Sequence, residues 1–142
     1  MPVLEQVLEK YPNEVKFVFK NFPLSSHKFA RQAAVAALSA GRQGKFWEFH
    51  DKLFENYDQL NEQKIQAIAQ DLGLDAAKFA ENMRDSQHSL AIDRDLWEGD
   101  KVGVTGTPAV FVNGKLLRDR RLRDFQAKIE KELQKIRAGG NP

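Results

Sequence analysis

The chain alternates between two hydrophobic rhythms, and most of its length follows the helical one. Val3, Leu4, Val7, Leu8 and Tyr11 recur at three- and four-residue steps, which predicts an N-terminal helix with Pro2 in its first turn and Pro12-Asn13 as its stop. "VKFVF", Val15 to Phe19, breaks that rhythm. It is short, β-branched and aromatic, so it predicts a strand, ended by "NFPL". The helical period then resumes. Ser25 or Ser26 is placed to cap a helix through "HKFARQAAVAALSA", with Gly41 just past its end. "KFWEFHDKLFENY" sets Phe46, Phe49, Leu53 and Tyr57 on one stripe, widened by Trp47 and Phe54. Asn61, Asp75 and Ser86 each stand before a further helical segment, the first of them closed by Gly73.

The last third changes rhythm again. Ala109 to Val112 predicts a strand, and Asn113-Gly114 predicts a hairpin turn, because both residues tolerate positive φ. Lys115 to Leu117 would return antiparallel. Asp119 is placed to cap a final helix with Leu122, Phe125, Ile129, Leu133 and Ile136 on one face, and "AGGNP" reads as a frayed tail. The resulting order is helix, strand, a block of about five helices, strand, turn, strand, helix. The helical block is inserted into an α/β unit and does not alternate with it.

Composition narrows the chemistry. The 142 residues suit one domain, and 22 basic against 20 acidic side chains leave a net charge of +2, too balanced to argue for nucleic acid. No apolar run approaches the roughly 20 residues of a membrane span. The N-terminus lacks the charged start, apolar centre and small-residue cleavage site of a signal peptide. The chain contains no cysteine. Disulfides, thiolate metal sites and thiol catalysis by its own residues are therefore excluded.

The polar motifs carry little catalytic signal. His27, His50 and His88 show no paired i, i+4 spacing, and Asp85-x-x-His88 alone is a weak metal motif, so they read as capping or solvated histidines. Glu48, Asp51, Glu55 and Asp58 imitate an acid/base cluster, yet their spacing also suits a wet helix face paired with Lys45 and Lys52. "KLLRDRRLRDFQAK" is locally basic but interrupted by Asp119 and Asp124, which favours the polar face of the last helix over a nucleic-acid patch. The Phe46, Trp47, Phe49 and Phe54 stripe reads as core, with a peptide groove as the alternative.

"VKFVFKNFPL", "AAVAALSAGRQGKFWEFHDKLF", "LGLD" and "GVTGTPAVFVNG" occur in this order along nearly the whole chain. Together they resemble the DsbA-like branch of the thioredoxin superfamily. The resemblance implies an α/β thioredoxin-like core, residues 1–25 and 101–142, interrupted by an all-helical insertion at about 26–100. Its members are thiol-disulfide oxidoreductases or isomerases, usually outside the cytoplasm in the periplasm or cell envelope. The resemblance also makes Gly106, Thr107 and Pro108 a cis-proline loop beside a Cys-x-x-Cys pair. It aligns Pro2 to Tyr11 with the latter half of the family's first helix, so the expectation is a chain lacking the central N-terminal strand and both cysteines, and hence redox-inactive as given.

Removing a central strand leaves unpaired backbone groups on two apolar strands. Each buried unpaired group costs on the order of 1–3 kcal/mol, so several would rival a whole domain's stability of roughly 5–15 kcal/mol. Sharing of strand edges or first helices in a homodimer is one compensation. The partners expected are thus an extended peptide or protein substrate and a second copy, with no nucleic acid, membrane, metal or cofactor. The alternative function is a non-catalytic peptide-binding or assembly module that uses the Thr-Pro loop and shared strand edges. An unrelated enzyme built on the helical-block carboxylates ranks below both.

Overall fold

Helices begin where the chain supplies its own caps, and the computed structural model, which describes residues 2–139, shows this most clearly in the middle of the sequence. The Asn61 side chain accepts from the Lys64 N–H at 2.8 Å and opens one helix; the Asp75 side chain accepts from the Lys78 N–H at 2.9 Å and opens the next. The helices are α1 (Pro2–Lys10), α2 (Ala30–Gly41), α3 (Phe46–Glu55), α4 (Glu62–Asp71), α5 (Ala76–Met83), α6 (Ser86–Lys101) and α7 (Leu122–Ala138). A 3-10 turn, Tyr57–Gln59, follows α3. Strands β1 (Val110–Val112) and β2 (Lys115–Leu117) pair antiparallel, Val110 opposite Leu117 and Val112 opposite Lys115. Between them Asn113 and Gly114 take φ of 46° and 75°, the turn that the Asn-Gly pair predicts. The expected tail lies partly outside the described residues, at 140–142.

The chain forms two compact units. The larger, Lys20–Thr105, is all helical among its described elements. Its centre is α2, whose face of Ala33, Ala36, Ala37 and Ala40 is small enough for α3, α4, α5 and α6 to pack against the same helix. Phe49 of α3 and Phe79 of α5 fill the space this leaves, their rings stacked at 5.7 Å beside Ile65 and Ile68 of α4. The second unit, Met1–Phe19 with Gly106–Pro142, packs α1 on α7 and α7 on β2. Its buried cluster is Val7, Tyr11, Leu117, Phe125 and Ile129, bordered by Val110 and Val112 of β1.

Four local expectations are corrected. Val15–Phe19 forms no strand, so Phe17 and Phe111 share no sheet, and the sheet among the described residues has β1 and β2 alone. High β propensity describes side chains that suit a pleated surface; it does not provide the neighbouring strand. Neither Ser25 nor Ser26 caps α2. The Leu24 and His27 carbonyls take successive turn hydrogen bonds instead, and the helix starts at Ala30 with no side-chain cap. Asp85, one residue before Ser86, caps α6, where its charge suits the positive helix end. Asp119 does not cap α7; Arg121 precedes that helix and pairs with Asp124 at 2.7 Å.

The aromatic stripe on α3 is only partly core. Phe49 is fully buried, yet Phe54 and Tyr57 are 64% and 76% exposed, and Trp47 is also exposed. A stripe spanning Phe46 to Tyr57 is wider than the side of α3 that α2 and α4 cover.

Candidate functional site

Gly106, Thr107 and Pro108 lead straight into β1. The Thr107–Pro108 peptide bond is cis, and Thr107, Pro108 and Ala109 are all exposed. No hydrogen bond among the described residues engages the Thr107 N–H or C=O. β1 has β2 as its one ladder partner among those residues. The loop thus presents main-chain donor and acceptor groups at the head of a short strand, the arrangement that receives an extended peptide as an added strand. Ala109 belongs with this group. The sequence places Ala109 in the strand, but the strand begins at Val110 and leaves Ala109 in the loop.

The hairpin beneath the loop is held from one side. Val110 and Val112 turn toward the cluster of α1 and α7, while Phe111 and Leu116 are paired on the opposite face of the two strands. Two polar clamps tie the helices and hairpin together. The Tyr11 hydroxyl donates to Glu130 at 2.9 Å across the α1–α7 contact, and burial followed by that carboxylate raises the Tyr11 pKa. Glu132 of α7 accepts from Lys115 of β2 and from Lys135, both at 3.0 Å. The Lys115 and Lys135 hydrogen bonds hold the Glu132 carboxyl at about 2, below its ordinary 4.5.

This second clamp sets a pH expectation. The folded pKa lies below the unfolded one, so the clamp's stabilisation is complete above 4.5 and fades as pH falls through about 2. Glu132→Gln should lower the melting temperature of the hairpin unit at neutral pH. The gap between wild type and variant should then narrow across that acid window, read from paired thermal melts. A gap independent of pH there would show that the carboxylate is not what Lys115 and Lys135 hold.

The other residues considered from sequence do not join the loop into one site. His27 is exposed in the turn before α2; His50 of α3 lies 3.1 Å from Asp51; His88 of α6 is buried, contrary to its reading as a capping or solvated group. It stands in the first turn of α6, one of the helices packed around α2. Glu48, Asp51, Glu55 and Asp58 all lie exposed on α3 and the turn after it, with Lys52 bonded to Glu55 at 3.0 Å. Among the described residues no three His, Asp or Glu side chains gather as a metal-binding group. The basic run is divided between the loop before α7, where Arg118, Arg120 and Arg121 are exposed, and the first turn of the helix.

A two-stranded hairpin between a Thr-Pro loop and a C-terminal helix, preceded along the chain by a block of five α-helices, is the element order of a thioredoxin-like domain with a helical insertion. Comparison with known proteins makes the class specific: residues 1–130 match the DSBA-like thioredoxin domain, and the chain belongs to that family. A thioredoxin-like oxidoreductase from Silicibacter pomeroyi DSS-3 has the same fold, with a TM-score of 0.81 over 94% of this chain and 77% of that chain, at 25% identity. Sequence relatives include proteins named Na(+)/H(+) antiporter NhaA 3 from Salinispora tropica and Na(+)/H(+) antiporter NhaA 1 from Salinispora arenicola. Each is 36% identical over 115 residues, or 80% of this chain and 18% of the relative. The Nitrosospira multiformis antiporter NhaA is 29% identical over 78% of the chain. The chain thus spans less than a fifth of these relatives' length. No helix among the described residues is long and apolar enough to cross a membrane.

Proposed function

We propose that this chain is the substrate-holding part of a DsbA-like thiol-disulfide exchange domain, with Gly106, Thr107 and Pro108 receiving an extended peptide. The observation that carries the reading is the exposed, unengaged Thr107 main chain at the head of β1. Family membership and the likeness to a thioredoxin-like oxidoreductase support it. Exchange proceeds by attack of a thiolate on a disulfide sulfur. These 142 residues contain no cysteine, so any exchange in which they take part uses a thiolate from outside them. Their own contribution is to align the substrate backbone, and no cofactor enters this role. In the antiporter relatives the similar stretch is 18% of a much longer chain.

The test is peptide binding by fluorescence anisotropy with a panel of extended, cysteine-containing peptides. Thr107→Pro deletes the main-chain donor at the loop, and it should weaken binding about tenfold, since one lost hydrogen bond leaves a peptide carbonyl unsatisfied. Unchanged affinity would remove the loop from the reading. The wild-type chain alone should show no insulin reduction.

The open edge of β1 also supports self-association, in which a second copy adds its strand there. Light scattering across a concentration series tests this; a monomer at every concentration excludes it.

A further inference from the structure

His88 is the one buried side-chain polar group among the described residues whose nitrogen, Nε2, has no hydrogen-bond partner. The residue is 5% exposed and stands in the first turn of α6, a helix that packs against α2. The carboxylate that acts on the ring, Asp85, already accepts on both of its oxygens. One oxygen of Asp85 accepts the Gln87 N–H at 2.9 Å, capping α6, and the other accepts from Arg42 Nη2 at 3.2 Å. Arg42, at the C-terminal end of α2, brings a positive charge toward the ring, and so does the positive end of α6 itself. Arg31, the other cation of α2, is committed one turn along α6, to the Ser89 carbonyl at 3.3 Å and to Asp93 at 2.7 Å. Arg84, which closes α5, is exposed.

A neutral imidazole tolerates this position, because its burial desolvates no charge. An imidazolium does not. An added charge would sit in a buried place near one guanidinium and at the wrong end of a helix dipole. Burial first, and then Arg42, accordingly lower the His88 pKa, with Asp85 opposing them.

We infer that His88 is an acid-operated latch of the helical unit: neutral, it keeps the first turns of α6 seated on α2; once it takes a proton from solvent, the ring leaves the contact and that corner opens. The latch concerns the helical unit alone and holds whether or not the Thr-Pro loop binds peptide. Its direction follows from linkage. The folded state binds the proton more weakly than the unfolded chain does. The stabilisation is therefore full above the ordinary value of 6.5 and is lost as pH falls through 6.5 toward the lower folded value. That window lies above the one set by Glu132, so the two effects are separable.

The experiment combines a histidine NMR titration of the wild-type protein with amide hydrogen exchange at about pH 7.5 and about pH 5, expressed as protection factors. The His88 ring should titrate below the ordinary histidine value of 6.5. Protection of the amides at residues 89–92 should fall severalfold at the lower pH, while α7 keeps its own. His88→Gln, which cannot take the proton, should keep its α6 protection the same at both values; His88→Leu serves as the second variant should the glutamine not fold. Undiminished α6 protection in wild type at the lower pH would overturn the inference. So would an equal loss in the non-titrating variants, or a His88 ring that titrates at or above 6.5.

Discussion

Phe49→Ala will destabilise the helical unit by about 3–5 kcal/mol, the usual cost of emptying a fully buried aromatic site. Phe49 has no exposed surface, and it stacks on Phe79 at the point where α3 and α5 meet the alanine face of α2. The neighbours cannot collapse into the space. Ala33, Ala36, Ala37 and Ala40 have no side-chain length to extend, and Phe79 is held by its own burial. Urea denaturation followed by far-ultraviolet circular dichroism measures the loss. A change near 1 kcal/mol would mean that the helices close over the cavity and that the alanine face is not the rigid floor it resembles. Phe54→Ala provides the contrast. It lies on the same helix but is largely exposed, so its stability effect should stay within about 0.5 kcal/mol.

Phe125→Ala will have the second largest effect, again about 3–5 kcal/mol, and this one will reach the loop. Phe125 is buried in α7 with Ile129, Leu117, Val7 and Tyr11, and no second buried cluster exists among the described residues of that unit. Such a small core has little redundancy. Losing the ring removes the surface on which β2 rests and against which Val110 and Val112 of β1 also pack. Hydrogen exchange should therefore accelerate at the β1 and β2 amides more than at the α2 amides, and peptide affinity should fall although no loop residue has changed. If affinity survives while the hairpin amides lose protection, the loop does not need the hairpin as its scaffold.

Much of this arrangement was legible in the order of the residues. Asn61 and Asp75 announce their helices because a cap is a local event, completed within three residues. Asn113-Gly114 announces the hairpin for the same reason: φ preference belongs to the residue itself. The strings around "GVTGTPAVFVNG" carried the family, which the match to residues 1–130 shows. The starts of α2 and α7 were misread because a serine or aspartate can cap only if the chain before it turns the right way. At Ser25–Ser26 the Leu24 carbonyl had already claimed the turn, and at Asp119 the side chain faces Arg121.

By itself, the sequence determined everything that depends on near neighbours or on residue identity: where helices run, where the hairpin turns, that no thiol is present, and to which family the chain belongs. Only the tertiary structure decided which apolar faces find a cover. Periodicity marks Phe49 and Phe54 alike as hydrophobic, yet α2 and α5 reach one of them and not the other. Propensity makes Val15–Phe19 suited to a sheet, but a strand exists only when a second backbone lies beside it, and here none forms a ladder with it. Burial of His88 is of the same kind, since its local spacing does not fix it and the helices packed around it do. Hydrogen bonds between near neighbours are written in the chain; desolvation is decided by what arrives from far along it.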